Sequence, residues 1–260
     1  MNPVVAIAVH GAAGRMGEAV LRLALGDPRV AVVGALVSPD STSTGGIAEV
    51  RYSTTLDAAA APAVLIDFSV ASAFDDALSL ARSRRIAFVS GTTGLSPTQH
   101  AALRDAANSI PVLWSANFSL GIAVLTRLAR EAARALASWD CEIAEAHHRN
   151  KKDAPSGTAL ALGRAIADVR GRAFDQVAER DRSATPRSDA ASIGFAITRA
   201  GDIVGEHAVT FAGEGERIEL VHRATDRTIF ARGALEAALW LARQPSGSYA
   251  LADVLGLGDG

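Results

Sequence analysis

Val4-Val5-Ala6-Ile7-Ala8-Val9-His10-Gly11-Ala12-Ala13-Gly14-Arg15-Met16-Gly17 decides how the rest of the chain is read. Its opening apolar, β-branched run suits a strand covered on both faces, as in a parallel sheet. A glycine-rich turn follows at once, and a helical pattern continues through Leu25. Strand, glycine-rich turn and helix is the setting a dinucleotide fingerprint requires, because a helix N-terminus offers free amides to a pyrophosphate. In that setting Gly11 makes the tight turn, Gly14 lets a phosphate approach the backbone, and Gly17 lets helix lie close on strand. The spacing is G-x-x-G-x-x-G rather than G-x-G-x-x-G, so a βα turn without a ligand is the alternative.

Outward from this stretch the alternation continues. Strands are expected at 30–37, 64–69, 86–90 and 112–115, with helices at 72–84 and 98–108 between them. Residues 41–46 are small and polar and read as a mobile loop. At the end of the second strand a carboxylate would hold the adenosine ribose, or a basic residue a 2′-phosphate. Val37-Ser38 offers neither, and Asp40 comes two or three residues late, so NADH and NADPH both stay open. Gly91-Thr92-Thr93-Gly94 falls where strands end at the ligand crevice of a doubly wound sheet, although a plain β-to-α turn fits its spacing equally. Asn117 reads either as an amide for the nicotinamide carboxamide or as a cap for the helix at 121–137.

After that helix the alternation stops. Strands at 192–200, 203–211 and 217–224 are separated by glycine-containing turns and predict a mixed or antiparallel sheet covered on one face by helices. The charged segment 174–189 reads as an exposed loop, and the apolar helix at 229–243 as an element that returns to the first domain. The fold class is α/β: an N-terminal Rossmann-like doubly wound parallel sheet plus a C-terminal α+β domain with a mixed or antiparallel sheet. The first domain spans 1–118, completed by the returning segment 228–260, and the second spans 119–227, with hinges near Ser119 and residues 226–228.

A second stretch carries the chemistry: Glu145-Ala146-His147-His148-Arg149-Asn150-Lys151-Lys152-Asp153-Ala154-Pro155-Ser156-Gly157-Thr158-Ala159. It follows a predicted strand at 141–146 and precedes a helix at 158–167. Pro155 and the N-cap candidate Ser156 are ordinary helix-start signals. Free amides at that start suit a carboxylate or phosphate, Ser156 and Thr158 add hydroxyls, and Gly157 opens the backbone to a ligand. His147, His148 and Lys151 add proton donors to the same loop. Solvated histidines beside a common helix cap are the plainer account, and for Lys152 a solvated charge is retained.

The composition narrows the class. A net charge of −2 and the lack of any long Lys/Arg run exclude a dedicated nucleic-acid binder. The single cysteine, Cys141, excludes internal disulfides and cysteine-based zinc sites, and no other metal site is expected. No run of about 18 apolar residues and no signal-peptide pattern are present, which points to a soluble cytoplasmic protein without membrane contact.

Taken together these segments resemble the 4-hydroxy-tetrahydrodipicolinate reductase family, also called dihydrodipicolinate reductases, of lysine and diaminopimelate synthesis. The resemblance rests on Gly11–Gly17, Gly91–Gly94, Ala116–Ser119, Glu145–Ala159, Arg199–His207 and the closing Ala231-Arg232-Gly233-Ala234 with Ala238–Leu241. It implies hydride transfer from NADH or NADPH to a small cyclic dicarboxylate and a homotetramer joined through the second domain. By motif position it implies that His147 is the proton donor and Lys151 the catalytic lysine. His148, Ser156, Gly157 and Thr158 would hold a substrate carboxylate. Gly11, Ala12, Ala13, Gly14, Arg15, Met16, Gly91, Thr92, Thr93, Ser115, Ala116, Asn117 and Phe118 would contact the cofactor. Val37-Ser38 departs from the family's acidic residue followed by arginine, which bears on cofactor preference. An amino-acid or homoserine dehydrogenase would share the first domain but leaves the histidine-pair block unexplained, and a non-catalytic redox-sensing nucleotide binder would need only the first domain.

Overall fold

The computed structural model describes residues 3–43, 45–180 and 191–258. The first unit opens with β1 (Val5–His10), α1 (Arg15–Leu25) and β2 (Val30–Leu36), as the opening stretch demands. Within β1 Ile7, Ala8 and Val9 are fully buried, and α1 turns Gly17, Val20, Leu21 and Ala24 inward at helical spacing. Two short strands follow, β3 (Gly46–Ile47) and β4 (Val50–Ser53), paired antiparallel. These were not expected: Gly46 opens β3 instead of closing a loop, and Thr44 lies outside the described residues. Short strands of small and polar residues lack the alternation that would have marked them. Then come β5 (Val64–Asp67), α2 (Phe74–Arg84), β6 (Ala87–Ser90), α3 (Pro97–Ala106) and β7 (Pro111–Trp114). The N-terminus of α3 carries a full capping box between Ser96 and Gln99, with Pro97 in its first turn.

The second unit spans 121–227 and is built from most of α4 (Leu120–Ala135), β8 (Asp140–His147), α5 (Gly157–Val169), α6 (Phe174–Val177), β9 (Ala178–Glu179), β10 (Ile193–Arg199), β11 (Gly205–Ala212) and β12 (Arg217–Ala224). Its sheet runs β12-β11-β8-β10-β9, with β8, β9 and β10 parallel and β11 antiparallel to both of its neighbours. The mixed character expected from the sequence is present. One core lies between the sheet and its helices, formed by Leu125, Ala129, Cys141, Ile143, Leu162, Ile166, Val209 and Phe211 among others. Cys141 is a buried member of it. The segment 174–189 is not a plain exposed loop where it is described. Phe174–Val177 forms a helical turn with Val177 buried, β9 follows, and residues 181–190 lie outside the described part. A tertiary contact recruits that turn: Phe174 packs edge-on against Phe195 of β10.

The chain ends with α7 (Thr228–Leu241), β13 (Gly247–Tyr249) and α8 (Leu251–Val254), all in the first unit. There α7 buries Ala231, Ala234, Ala238 and Leu241 against α1 and β5–β7, and β13 adds a parallel edge strand to β7. The completed sheet reads β13-β7-β6-β5-β1-β2-β4-β3, parallel except for the β3–β4 pair. Sheet order steps outward in both directions from β1, so the ends of β1 and β5 form a topological switch point. No described helix is long and apolar enough to cross a membrane.

Candidate active site

In the second unit, strand register assembles a buried polar cluster. Alternation along β8 turns Cys141, Ile143, Glu145 and His147 to the helix-covered face. The first two fill the core, while Glu145 and His147, only 3% and 8% exposed, occupy its end. Parallel pairing sets Arg199 of β10 beside His147, and antiparallel pairing sets His207 of β11 beside Glu145. Four chemically active side chains from three strands thereby share one face.

Hydrogen bonds then tie this cluster to the start of α5. Glu145 Oε1 accepts from Arg199 at 2.8 Å and from the Ser156 backbone N–H at 3.0 Å. Glu145 Oε2 lies 2.5 Å from His147 Nδ1, an ion pair whenever the imidazole is protonated. Ser156 is the N-cap: its Oγ accepts the Ala159 N–H and lies 3.2 Å from His207 Nε2. Its hydroxyl is therefore engaged inside the protein, whereas Gly157 is exposed and Thr158 half-buried at the helix start. The Ala154–Pro155 peptide preceding the cap is cis. Lys151 Nζ pairs with Asp153 at 2.9 Å, and Arg199 also donates to the Asp153 carbonyl, so the loop is clamped from both ends. His148 is half-buried in the same loop and Lys152 is exposed.

The electrostatics follow from burial and partners. Burial pushes Glu145 up, but the Arg199 guanidinium and the Ser156 amide outweigh it and hold the carboxyl below its ordinary range. His147 is pushed down by burial, with Lys151 and Arg199 acting in the same direction and Glu145 opposing. Burial, aided by the charge of His147, drives His207 down to about 4, so it is neutral near pH 7. Asp153 is held low first by its bond to Lys151 and further by the Gly157 amide. Glu145, His147 and His207 each bring one potential metal-ligand atom within 4.8 Å of the others. A cation among them would face the Arg199 guanidinium on the same carboxylate, and the cluster is read as a hydrogen-bonding network.

The first unit holds a different arrangement. Gly11 has φ +75°, and a Cβ there would stand 2.5 Å from the Phe68 carbonyl oxygen, while one on Gly17 would strike the Gly11 carbonyl. Helix α1 begins after Gly14, and its N-cap makes no side-chain hydrogen bond to the first turn. Beside it lies a cavity of about 480 Å³ lined by Gly11, Ala13, Gly14, Ser38, Asp40 and Phe68 among others. Arg15 is exposed and Met16 half-buried at the same helix start, whereas Ala12 is fully buried and can offer a ligand only its backbone. Behind the cavity, Asp67 is fully buried and accepts from Ser90 at 2.9 Å and Thr92 at 2.7 Å, with His10 Nδ1 2.9 Å away. Burial pushes its carboxyl up, and these partners outweigh it, so the carboxyl lies low. This network fixes the turn that bears Gly91, Thr92 and Thr93. In the next turn Ser115 Oγ donates to the Asn117 carbonyl, Asn117 Oδ1 accepts the Ser119 N–H, Ala116 is exposed, and Phe118 is buried edge-on against Phe68.

Two family models match the chain, "Dihydrodipicolinate reductase, N-terminus" over residues 5–118 and "Dihydrodipicolinate reductase, C-terminus" over residues 121–255. The chain belongs to the dihydrodipicolinate reductase family. The 4-hydroxy-tetrahydrodipicolinate reductase of Xanthomonas euvesicatoria pv. vesicatoria (strain 85-10) is 49% identical over 255 residues, covering 96% of this chain and 98% of that protein. That of Stenotrophomonas maltophilia (strain K279a) is 49% identical over 249 residues, covering 95% and 96%. Among solved structures, the dipicolinate-bound dihydrodipicolinate reductase from Paenisporosarcina sp. TG-14 superposes with a TM-score of 0.80 at 24% identity, covering 95% of this chain and 97% of that one. The C. glutamicum DAP dehydrogenase in complex with DAP gives 0.59 at 15% identity, covering 100% and 97%. At those identities the structures speak for the fold alone.

His147 ends β8, Lys151 lies in the loop after it, Ser156 caps α5, and Gly157 and Thr158 open that helix. Glu145, Arg199, His207 and the His10–Asp67 pair were not assigned roles from sequence. A signal for the first existed: Glu145-x-His147 is a strand spacing that places both side chains on one face. Arg199 and His207 bound a segment that carries the family resemblance, but only strand pairing sets them beside His147 and Glu145.

Proposed function

We propose that this protein reduces 4-hydroxy-tetrahydrodipicolinate to tetrahydrodipicolinate in lysine and diaminopimelate synthesis. The carrying observation is that one edge of the second unit gathers an imidazole, an ammonium group and the exposed start of α5. The 49% identical relatives bearing that enzyme's name support the same substrate. The uncapped start of α1 and the cavity beside it suit a dinucleotide, with Gly11, Ala12, Ala13, Gly14, Arg15 and Met16 at its pyrophosphate. Gly91–Thr93 and Ser115–Phe118 are assigned to the rest of the cofactor. Bound NADH or NADPH supplies the hydride.

The chain's own groups do the remainder. The amides and hydroxyl at Gly157 and Thr158, with His148, grip a substrate carboxylate and orient the ring. Ser156 shapes that grip from within, through its cap and its bond to His207. Loss of the 4-hydroxyl as water and arrival of hydride on the ring carbon conjugated to C=N leave an electron-rich enamine. Imidazolium His147 delivers a proton to its neighbouring carbon. Lys151, released from Asp153, steadies negative charge as the bonds change.

The homotetramer is part of the same reading. Among the described residues, Ala144, Ala196, Thr198 and Val221 are exposed on the sheet face opposite α5. A second copy would cover such a face, and light scattering should report four times the 26.8 kDa chain mass. The function is tested by following NADH and NADPH oxidation with substrate made in situ by a dihydrodipicolinate synthase. Turnover with either nucleotide is expected; tight nucleotide binding without turnover would point to a sensor instead.

A further inference from the structure

We propose that Glu145 is a positioning residue for this reduction, one carboxylate that joins the proton donor to the carboxylate-binding helix start and selects which nitrogen of His147 works. The inference rests on the assignment of His147 as proton donor. The two oxygens divide the task. Oε1 accepts from the Ser156 N–H and from Arg199, fixing the first residue of the α5 cap. Oε2 stands 2.5 Å from His147 Nδ1. Both of those atoms are buried and neither has a hydrogen-bond partner elsewhere among the described residues.

That pairing determines the tautomer. Two buried acceptors this close would oppose two desolvated lone pairs, so Nδ1 carries the hydrogen and faces the carboxylate. Nε2 is then the nitrogen that gains and gives the transferable proton. The lack of a side chain at Gly205 lets this end of the ring lie close to β11: a Cβ there would stand 3.1 Å from Nε2. The charge balance points the same way. Lys151 from the loop, Arg199 from β10 and His207 from β11 surround the ring with cationic or neutral groups, and Glu145 is the anion that offsets them. Without it the imidazolium would lie in a desolvated, net positive setting. Arg199, bonded to both Glu145 and the Asp153 carbonyl, holds the carboxylate and the loop in one frame.

Glu145→Gln tests this, since it keeps an oxygen for Ser156 and Arg199 but removes the charge and presents an amide to Nδ1. Above neutral pH its kcat should fall on the order of 10²-fold, the usual worth of a well-placed general acid. The substrate KM should change by less than about threefold, because ground-state binding is retained. The alkaline limb of kcat should move to lower pH, so that acidification restores part of the lost rate. A wild-type kcat with an unmoved limb overturns the inference, as does a loss of kcat and KM together at every pH. Should the variant not fold, ¹⁵N imidazole NMR on the wild-type protein decides. Neutral His147 protonated at Nδ1 supports the assignment, and protonation at Nε2 overturns it. Absence of turnover in the wild type would instead remove the proposed function itself, a result separable from an indifferent Glu145→Gln.

Discussion

The molecule contains two strand–turn–helix junctions that we propose bind anions, one in each unit, and they are built on opposite principles. At the start of α1 the protein supplies almost only backbone: glycines, an uncapped helix turn and a cavity. At the start of α5 the cap is occupied by Ser156, and titratable side chains from β8, β10 and β11 gather behind it. A backbone site binds what many nucleotides share and does not change with pH. A site of buried, coupled side chains chooses one substrate and can move a proton. The contrast teaches that anion binding and acid–base chemistry come from the same local geometry, separated by what the sheet behind it contributes.

The largest expected effect breaks the second junction alone. His147→Gln should lower kcat by roughly 10³-fold, within the range for loss of a general acid, and leave nucleotide affinity unchanged. A kcat near wild type in steady-state assays would take His147 out of the proton-donor role. The first junction should break through the fold instead. Gly11→Ala forces a Cβ against the Phe68 carbonyl at positive φ, and should cost roughly 3 kcal/mol from strain and overpacking combined. Calorimetry should show a lowered Tm together with weakened nucleotide binding, and an unchanged Tm would contradict the tight-turn reading.

The next effect separates the junctions by pH. The folded-state pKa of His207, about 4, lies below the 6.5 of an ordinary histidine. Its contribution is thus complete above pH 6.5 and is lost as pH falls toward 4, because the unfolded chain takes up a proton that the native cluster refuses. About 2 kcal/mol should be lost by pH 5, from 1.36 kcal/mol per unit. Thermal unfolding of wild type and His207→Gln across that window should converge as pH falls; parallel curves would argue against a buried neutral imidazole. The smallest effect probes the shared feature. A Cβ on Gly157 meets no atom of the described residues within 4 Å, so Gly157→Ala should fold normally. Its substrate KM should rise about tenfold, a loss near 1.4 kcal/mol, as the methyl crowds the bound carboxylate. A normal KM there would deny the helix start its role.

The parts legible in the sequence are those whose signal is local. The apolar run of β1, the glycines after it and the helical period of α1 are adjacent in the chain and mutually consistent, so the parallel sheet could be read directly. The loop from His147 to Thr158 was legible for the same reason. The β3–β4 hairpin, the turn of α6 and the edge strand β13 were missed because two to four residues carry no period.

By itself the sequence determined the fold class, the family and the residues on each glycine-bearing turn, since strand and helix periods and turn chemistry depend on near neighbours. Only the tertiary structure decided that Glu145, Arg199 and His207 meet His147. They come from three strands of the second sheet, and it is register, set by side-chain burial on one face, that brings residues more than fifty positions apart within a hydrogen bond.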